Sequence, residues 1–254
     1  MEVHHHPDLH HKAKKWKEYL LEFLMIFLAV TLGFFAESFR EHILDKEKEK
    51  QSIESIIKSI ASDTVQLINI ESANKRALMY MDKLLELKDS DITKPEAKIK
   101  FYSNISKGVY YDIYFRSNDA AFQQLQSTGS LRLIKNQHIT DSLFQYQQYT
   151  SLILRQESDH YFFTKNVWNE VSELIDVTFL RDTKNKIDMT SNSVVIQPVG
   201  KNLLLNYDKK ALDVLYNNVA ALAATTGGYM ILIHLQLLYG RNLIGLLKNE
   251  YHIE

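Results

Sequence analysis

Glu157-Ser-Asp-His160 sets a carboxylate and an imidazole three residues apart, a spacing that shares one face of a helix. Carboxylate-bridged di-iron bundles use this Glu-x-x-His pattern twice, together with one further Glu from each of two other helices. The only other match in the chain is Glu2-Val-His-His5, so Glu157 and His160 amount to half of such a site. The plainer expectation is a polar layer in a helical bundle, with Glu157, His160 and Thr164 bonded to neighbouring helices and fixing their register. The second ligand-rich stretch is the leader, where His4, His5, His6, His10 and His11 place five imidazoles within eight residues. Imidazole suits zinc, nickel or copper, but a short His-rich tract is only a compositional signal and Pro7 prevents one clean helical face. Neither stretch is assigned a metal, a cofactor or a catalytic role.

Ala120–Gln126, Ser127-Thr-Gly-Ser130 and the helix that follows have the outline of a helix-turn-helix. A DNA reader wants basic and amide side chains on its second helix. Arg132 and Lys135 are a thin supply beside Leu131, Leu133 and Ile134, so a bundle connector is expected. Aromatic residues are dense between 101 and 163, including Tyr102, Tyr110, Tyr111, Tyr114, Phe115, Phe122, Tyr146, Tyr149, Tyr161, Phe162 and Phe163. Such rings line binding surfaces, but more often they are core with hydroxyls at the rim. There is no G-x-S-x-G, P-loop, dinucleotide fingerprint or H-E-x-x-H.

Composition narrows the class. The 254 residues hold eight glycines and three prolines, where an average chain would hold roughly 30 of the two together. That deficit argues against sandwiches, barrels and α/β folds. Cysteine is absent, which removes disulfides and thiolate chemistry. A net charge of −1 lacks the basic field of a nucleic-acid binder.

Residues 19–36 read YLLEFLMIFLAVTLGFFA, and Phe23–Ala36 interrupts its apolar run only with Thr31 and Gly33. A span needs about 20 residues, which is reached by including Tyr19–Leu21 and Ser38–Phe39. Trp16 and Tyr19 sit at an interfacial position, and Lys12, Lys14, Lys15 and Lys17 can snorkel. A signal peptide would want a cleavage site that Gly33-Phe-Phe-Ala36 does not offer. A buried core helix is the other alternative. An uncleaved anchor is expected. The flanking lysines and arginines number four on each side. The N-terminal four lie closer to the apolar run, which points to the N-terminus in the cytoplasm and the remainder across the membrane.

The rest of the chain reads as helices. Glu37–Asp89 has no Gly or Pro and is expected to continue the anchor. Its charge-alternating start, Glu41–Lys50, is a solvated stalk. Ile53, Ile57, Ile60, Thr64 and Leu67 mark its apolar face, which loosens at Glu71 and resumes at Leu78, Met81 and Leu85. Thr93 is expected to cap a helix opening at Pro95 and Glu96, with Ile99, Tyr102 and Ile105 on one face and a break at Lys107-Gly108. Ser117 or Asn118 caps a short helix over 119–128, and Gly129 stops it. Asn136 starts a helix over 137–176. Positions 139, 143, 146, 150, 153, 157, 160, 164, 167, 171 and 174 form its inner face, apolar at the ends and polar in the middle. Residues 177–208 are the least helical, with an extended piece at Val194–Ile196. Asp208 caps a last helix to about Tyr251, with Leu212, Leu215, Val219, Leu222, Thr226, Tyr229 and Ile233 inward and either a kink or a point of close packing at Gly227-Gly228. The apolar stretch Tyr229–Leu238 is long enough to raise a second span. His234, Gln236, the Gly pair and Arg241 favour a core helix.

The opening, MEVHHHPDLHHKAKKWKEYLLEFLMIFLAVTLGFFAESFREHILDKEKEKQ, resembles the start of a family of uncharacterised single-pass membrane proteins from Bacteroidota. Ala121-Phe-Gln-Gln-Leu-Gln-Ser-Thr-Gly-Ser-Leu-Arg-Leu-Ile-Lys-Asn136, followed by Asp141-Ser-Leu and Tyr146, is similar to a recurring element of the same group. The resemblance covers the first fifty residues well and the middle loosely. It implies one N-terminal membrane helix with a helical remainder, supplies no catalytic residue, and implies that His4-His5-His6 is native sequence.

The expected fold is all-α: an N-terminal transmembrane helix running into an elongated antiparallel bundle of about four helices. The expected organisation is a His/Lys-rich leader over 1–18, a transmembrane helix over 19–39, a charged stalk over 40–52 and a bundle over 53–254. The expected role is a membrane-anchored interaction or scaffold protein without catalytic activity. Its partners are the lipid bilayer and either further copies of itself or another membrane-complex component, with no nucleic acid. It is expected in the cell inner membrane with the bundle periplasmic. The alternative is a membrane-tethered sensory bundle that binds a small ligand between helices.

Overall fold

The computed structural model describes residues 15–109, 114–177, 187–188, 193–194 and 208–253. It is all-α. Helices α1 (Trp16–Leu85), α2 (Pro95–Gly108), α3 (Ala120–Ser127), α4 (Gln137–Leu174) and α5 (Lys209–Tyr251) follow one another, with a 3-10 turn at Ser130–Leu133. Two short strands, Ile187–Asp188 and Ser193–Val194, pair antiparallel with Ile187 opposite Val194. The chain forms two compact units that meet between Gln51 and Ser52.

In the first unit no described residue is buried. Its helix is apolar all round from Phe23 to Phe35, and large side chains such as Phe34 at 73 % and Met25 at 67 % stand exposed. The one hydroxyl in the run, Thr31, donates to the Phe27 carbonyl at 2.7 Å, so its hydrogen is satisfied by its own helix. Glu37 and Arg40 pair at the C-terminal edge of the run, with a contact of 2.5 Å. The stalk beyond it carries exposed i,i+3 pairs such as Asp45 with Lys48, each worth at most about 1 kcal/mol.

The second unit is a bundle with its core in three successive clusters. One joins Ile53, Ile57 and Ile60 of α1 to Phe122 and Leu125 of α3, Ile139 and Leu143 of α4, and Leu243 and Leu247 of α5. The next joins Leu67 and Ile70 to Phe115, Ile153, Tyr229 and Ile233. The last joins Met81 and Leu84 to Phe101 and Ile105 of α2, Val167 and Val171 of α4, and Leu215 and Val219 of α5. Residue numbers rise together along α1 and α4 and fall along α5, so α4 runs parallel to α1 and α5 antiparallel to both. The fourth side is a broken element: α2 beside the end of α1, an extended stretch at 114–119, then α3 at the opposite end. Each fully buried Leu or Ile contributes roughly 1.5–3 kcal/mol.

Local chemistry explains the helix ends. Asn136 accepts the His138 amide at 3.1 Å and Asp208 accepts the Ala211 amide at 3.2 Å, as N-caps do. Gly129, at φ 68°, takes the left-handed turn after α3 that a Cβ disfavours. Several expectations need correction. Thr93 does not cap α2, because the Asp91 carboxylate takes both its amide and its hydroxyl, at 3.1 and 2.6 Å. Ile99 is exposed, and Phe101 joins Tyr102 and Ile105 on the inner face. α3 starts after Asp119, not Ser117 or Asn118. The α1 face turns through Asp63 and Ile70 in place of Thr64 and Glu71. α4 ends at Leu174, two residues before the expected 176. α5 passes through Gly227-Gly228 unbroken. Tyr229, Ile233, Gln236 and Leu237 are buried in the bundle, which places one face of the Tyr229–Leu238 stretch in the core. Val195 and Ile196 lie outside the described residues.

Candidate functional site: a polar ladder between the helices

Where α4 faces α5, the inner face turns polar in its middle third, and those side chains find one another. Asp63 of α1, 1 % exposed, is the first rung. It accepts the Asn118 amide at 2.8 Å and the hydroxyls of Ser117 and Tyr146 at 3.3 Å. Burial raises the pKa of this carboxyl, and the three donors act against that rise. Burial and the neighbouring Asp63 push the Tyr146 hydroxyl up, so it stays a donor. Gln236 of α5 donates to the Tyr146 carbonyl at 3.2 Å and to the Thr150 hydroxyl at 2.8 Å, while its side-chain oxygen has no partner among the described residues.

Glu157 is the next rung. One carboxylate oxygen accepts both the Phe115 amide and the Tyr229 hydroxyl, each at 2.5 Å. His160 follows, with Nε2 3.1 Å from the Thr226 hydroxyl. That hydroxyl donates to the Leu222 carbonyl at 2.8 Å. Having one hydrogen, Thr226 must accept from the ring, so Nε2 carries the proton. The two are therefore not a nucleophile and its base, which would need Nε2 as acceptor. Thr164 donates to the His160 carbonyl at 3.0 Å. Of the polar layer expected at Glu157, His160 and Thr164, Glu157 and His160 bond across to α5, whereas Thr164 bonds back within α4 and not to a neighbouring helix.

Glu157 and His160 thus have other partners than a metal, and among the described residues no three His, Asp or Glu side chains gather as a cation site requires. His4, His5, His6, His10 and His11 lie outside the described residues. Beside Asp63 a cleft of about 10 Å³ is lined by Ile56, Ser59, Asn118, Phe122, Leu143 and Tyr146, far below the roughly 300–1,000 Å³ of ligand pockets. The helix-turn-helix outline is a connector. Leu131 and Ile134 pack into the cluster of Ile139 and Leu143, which uses them for folding. The aromatic group splits between inside and outside. Tyr102, Phe115, Phe122 and Tyr146 are core, and Tyr114, Tyr161 and Phe162 are exposed. Tyr149 stacks on Tyr239 at 4.6 Å, and Tyr110 and Tyr111 lie outside the described residues.

Sequence reasoning missed Asp63 and Gln236. Asp63 sits one residue off the periodic series, and Gln236 lies among apolar neighbours. The signal for Gln236 is the extension of the α5 face by its own steps of three and four beyond Ile233.

Among the described residues two helices are long and apolar enough, by length and composition, to cross a membrane. The window in α1 has a mean hydropathy of 2.1 with none of it buried; that in α5 has 1.4 with a third buried. No family model, no curated protein and no solved structure matches the chain.

Proposed function

We propose that the chain is a membrane-anchored helical interaction or scaffold protein, held by the apolar start of α1 and acting through its bundle faces without catalysing a reaction. The observation that carries this is the bare run Phe23–Phe35, whose large apolar side chains all stand exposed. Leaving them in water would cost on the order of 25 cal/mol per Å², and a bilayer removes that cost. The lysines packed closest to the apolar run support an N-terminus in the cytoplasm and a bundle across the inner membrane in the periplasm, and the resemblance to single-pass membrane proteins of Bacteroidota supports one N-terminal anchor. The ladder supports the non-catalytic part of the reading, because Asp63, Glu157 and His160 hold segments of the bundle together. Alkaline carbonate extraction of membranes carrying the full chain tests the anchor. The protein is expected in the pellet, and release into the supernatant overturns the reading. A reporter fused at the C-terminus tests the side.

A further inference from the structure

Tyr149 of α4 and Tyr239 of α5 lie face to face, with ring centroids 4.6 Å apart and ring planes 27° from parallel. Their hydroxyls share one edge of the stack, where a hydrogen bond to Tyr239 raises the pKa of Tyr149. Gln145 Nε2 donates to the Tyr239 hydroxyl at 3.4 Å. Both tyrosines are half-buried, so each is open to a solute in water.

The ladder beside them fixes the register. Gln236, one turn before Tyr239, donates at 2.8 Å to the hydroxyl of Thr150, the neighbour of Tyr149, and at 3.2 Å to the Tyr146 carbonyl. Gly240, next to Tyr239, lets α5 close on Tyr146, since a Cβ there would lie 3.3 Å from the Tyr146 ring. α4 and α5 therefore meet in one setting at this height. Stacking needs only the rings. What the two hydroxyls add is redox chemistry, because a phenol gives up an electron and a proton and the phenylalanine ring does not.

We propose that Tyr149 and Tyr239 form an oxidative cross-linking site, at which α4 is stapled to α5 as dityrosine. The oxidant is hydrogen peroxide acting through a haem peroxidase. Each phenol loses one electron and its hydroxyl proton and becomes a phenoxyl radical. The unpaired electron of such a radical is shared between the oxygen and the ring carbons ortho and para to it. The para carbon carries Cβ, so the ortho carbons join, and these are the Cε atoms that flank the paired hydroxyls. One Cε–Cε bond forms. The hydrogen on each joined carbon then passes to its oxygen as a proton, so two ring C–H bonds are broken and both hydroxyls are restored. One peroxide takes up the two electrons and two protons and leaves as two waters. The chain has no cysteine, so a disulfide cannot make this link. A bond between residues so far apart in sequence restricts the unfolded chain more than the folded one. The inference goes beyond the scaffold reading and holds whether or not lipid retains the chain.

Full-length protein in detergent, treated with peroxide and a haem peroxidase, tests it. The chain has 14 tyrosines, so the site predicts selectivity among them. Digestion and mass spectrometry are expected to find a peptide pair joined at Tyr149 and Tyr239, lighter than its two parts by two hydrogens, in protein that still migrates as a single chain. The share of all dityrosine that falls on this pair is expected to drop at least several-fold when the oxidation is done in urea, where the register is lost. Dityrosine fluorescence of the single chain is expected to fall at least several-fold in Tyr149→Phe and in Tyr239→Phe, which keep both rings. Absence of the pair, a pair found only in dimers, or an equal share in urea overturns the site, as does unchanged fluorescence in both variants. The linked chain is also expected to unfold at a higher urea concentration than Tyr149→Phe oxidised in the same way. An equal midpoint overturns the staple.

Discussion

Tyr229 on α5 donates its hydroxyl to Glu157 on α4 at 2.5 Å, and the same oxygen accepts the Phe115 amide from the extended stretch. One carboxylate therefore joins three segments remote in sequence. Glu157→Ala leaves a part-buried amide and a buried hydroxyl without their acceptor and is expected to lower unfolding free energy by about 2–4 kcal/mol. Glu157→Gln keeps an acceptor oxygen and should lose less than half of that. Urea unfolding of the two variants side by side checks the difference.

Asp63 makes stability depend on pH. Burial raises its carboxyl above the ordinary carboxylate range, so the native chain holds this proton more tightly than the unfolded one. Its contribution is then most favourable below the ordinary carboxylate range and falls as pH rises through the raised value. Asp63→Asn keeps the acceptor for Asn118 and offers hydrogens to Ser117 and Tyr146, whose hydroxyls can accept. The variant is expected to be less sensitive than wild type as pH rises above the ordinary carboxylate range. Asp63→Ala should cost about 2–4 kcal/mol at any pH, because the donors lose their partner. Unfolding midpoints measured across pH for all three proteins decide it.

Tyr216 is buried against Phe101, and its hydroxyl finds no acceptor among the described residues. Burial and nearby Asp213 push its pKa up to about 12. Tyr216→Phe removes the unsatisfied group while keeping the ring, so it is expected to be neutral or stabilising by about 1–2 kcal/mol. A fall in Tm would refute the account.

Two glycines in helices should respond in opposite directions. A Cβ on Gly108 would lie 3.0 Å from the Met81 backbone nitrogen and 3.2 Å from the Tyr80 carbonyl carbon. Gly108→Ala must push α2 off α1 and should cost about 1–3 kcal/mol. Gly227 has nothing within 4 Å, so Gly227→Ala should gain up to about 1 kcal/mol from helix propensity. Thermal melts of the paired variants test both signs.

An arginine at Ile26 combined with one at Val30 would place two charges in the middle of the apolar run, each costing roughly 2.5–3.5 kcal/mol at a helix centre in lipid. Both side chains are exposed, Ile26 at 66 % and Val30 at 54 %. The double variant should keep its bundle melting transition and lose membrane retention. Loss of both together would mean that the segment has a folding role.

The fold was legible wherever one residue type carries one meaning. Long stretches without Gly or Pro read as helix, and the caps at Asn136 and Asp208 stand where expected. The α4 series predicted its inner face down to the polar middle. What was not legible depends on distant partners. Asp63 breaks the apolar rhythm of α1 because its donors come from residues more than fifty positions away, so the periodic reading moved the face onto Thr64. Thr93 has good capping chemistry, but Asp91, two residues earlier, takes both its polar groups. The extended stretch at 114–119 has no periodicity, and its anchors sit on α1 and α4. For the site, spacing found Glu157 and His160 but not their use, since tyrosine and threonine partners on α5 leave no mark at the sequence level.

That extended stretch draws its hydrogen-bond acceptors from Glu157, Gln66 and Asp63. None of these lies next to it along the chain, so it cannot order before α1 and α4 have come together. The stretch is therefore expected to order no earlier than the packing of α4 against α1. Deuterium exchange at the amides of Phe115, Arg116 and Asn118 is therefore expected to report the separation of α1 from α4 before the helix interiors open.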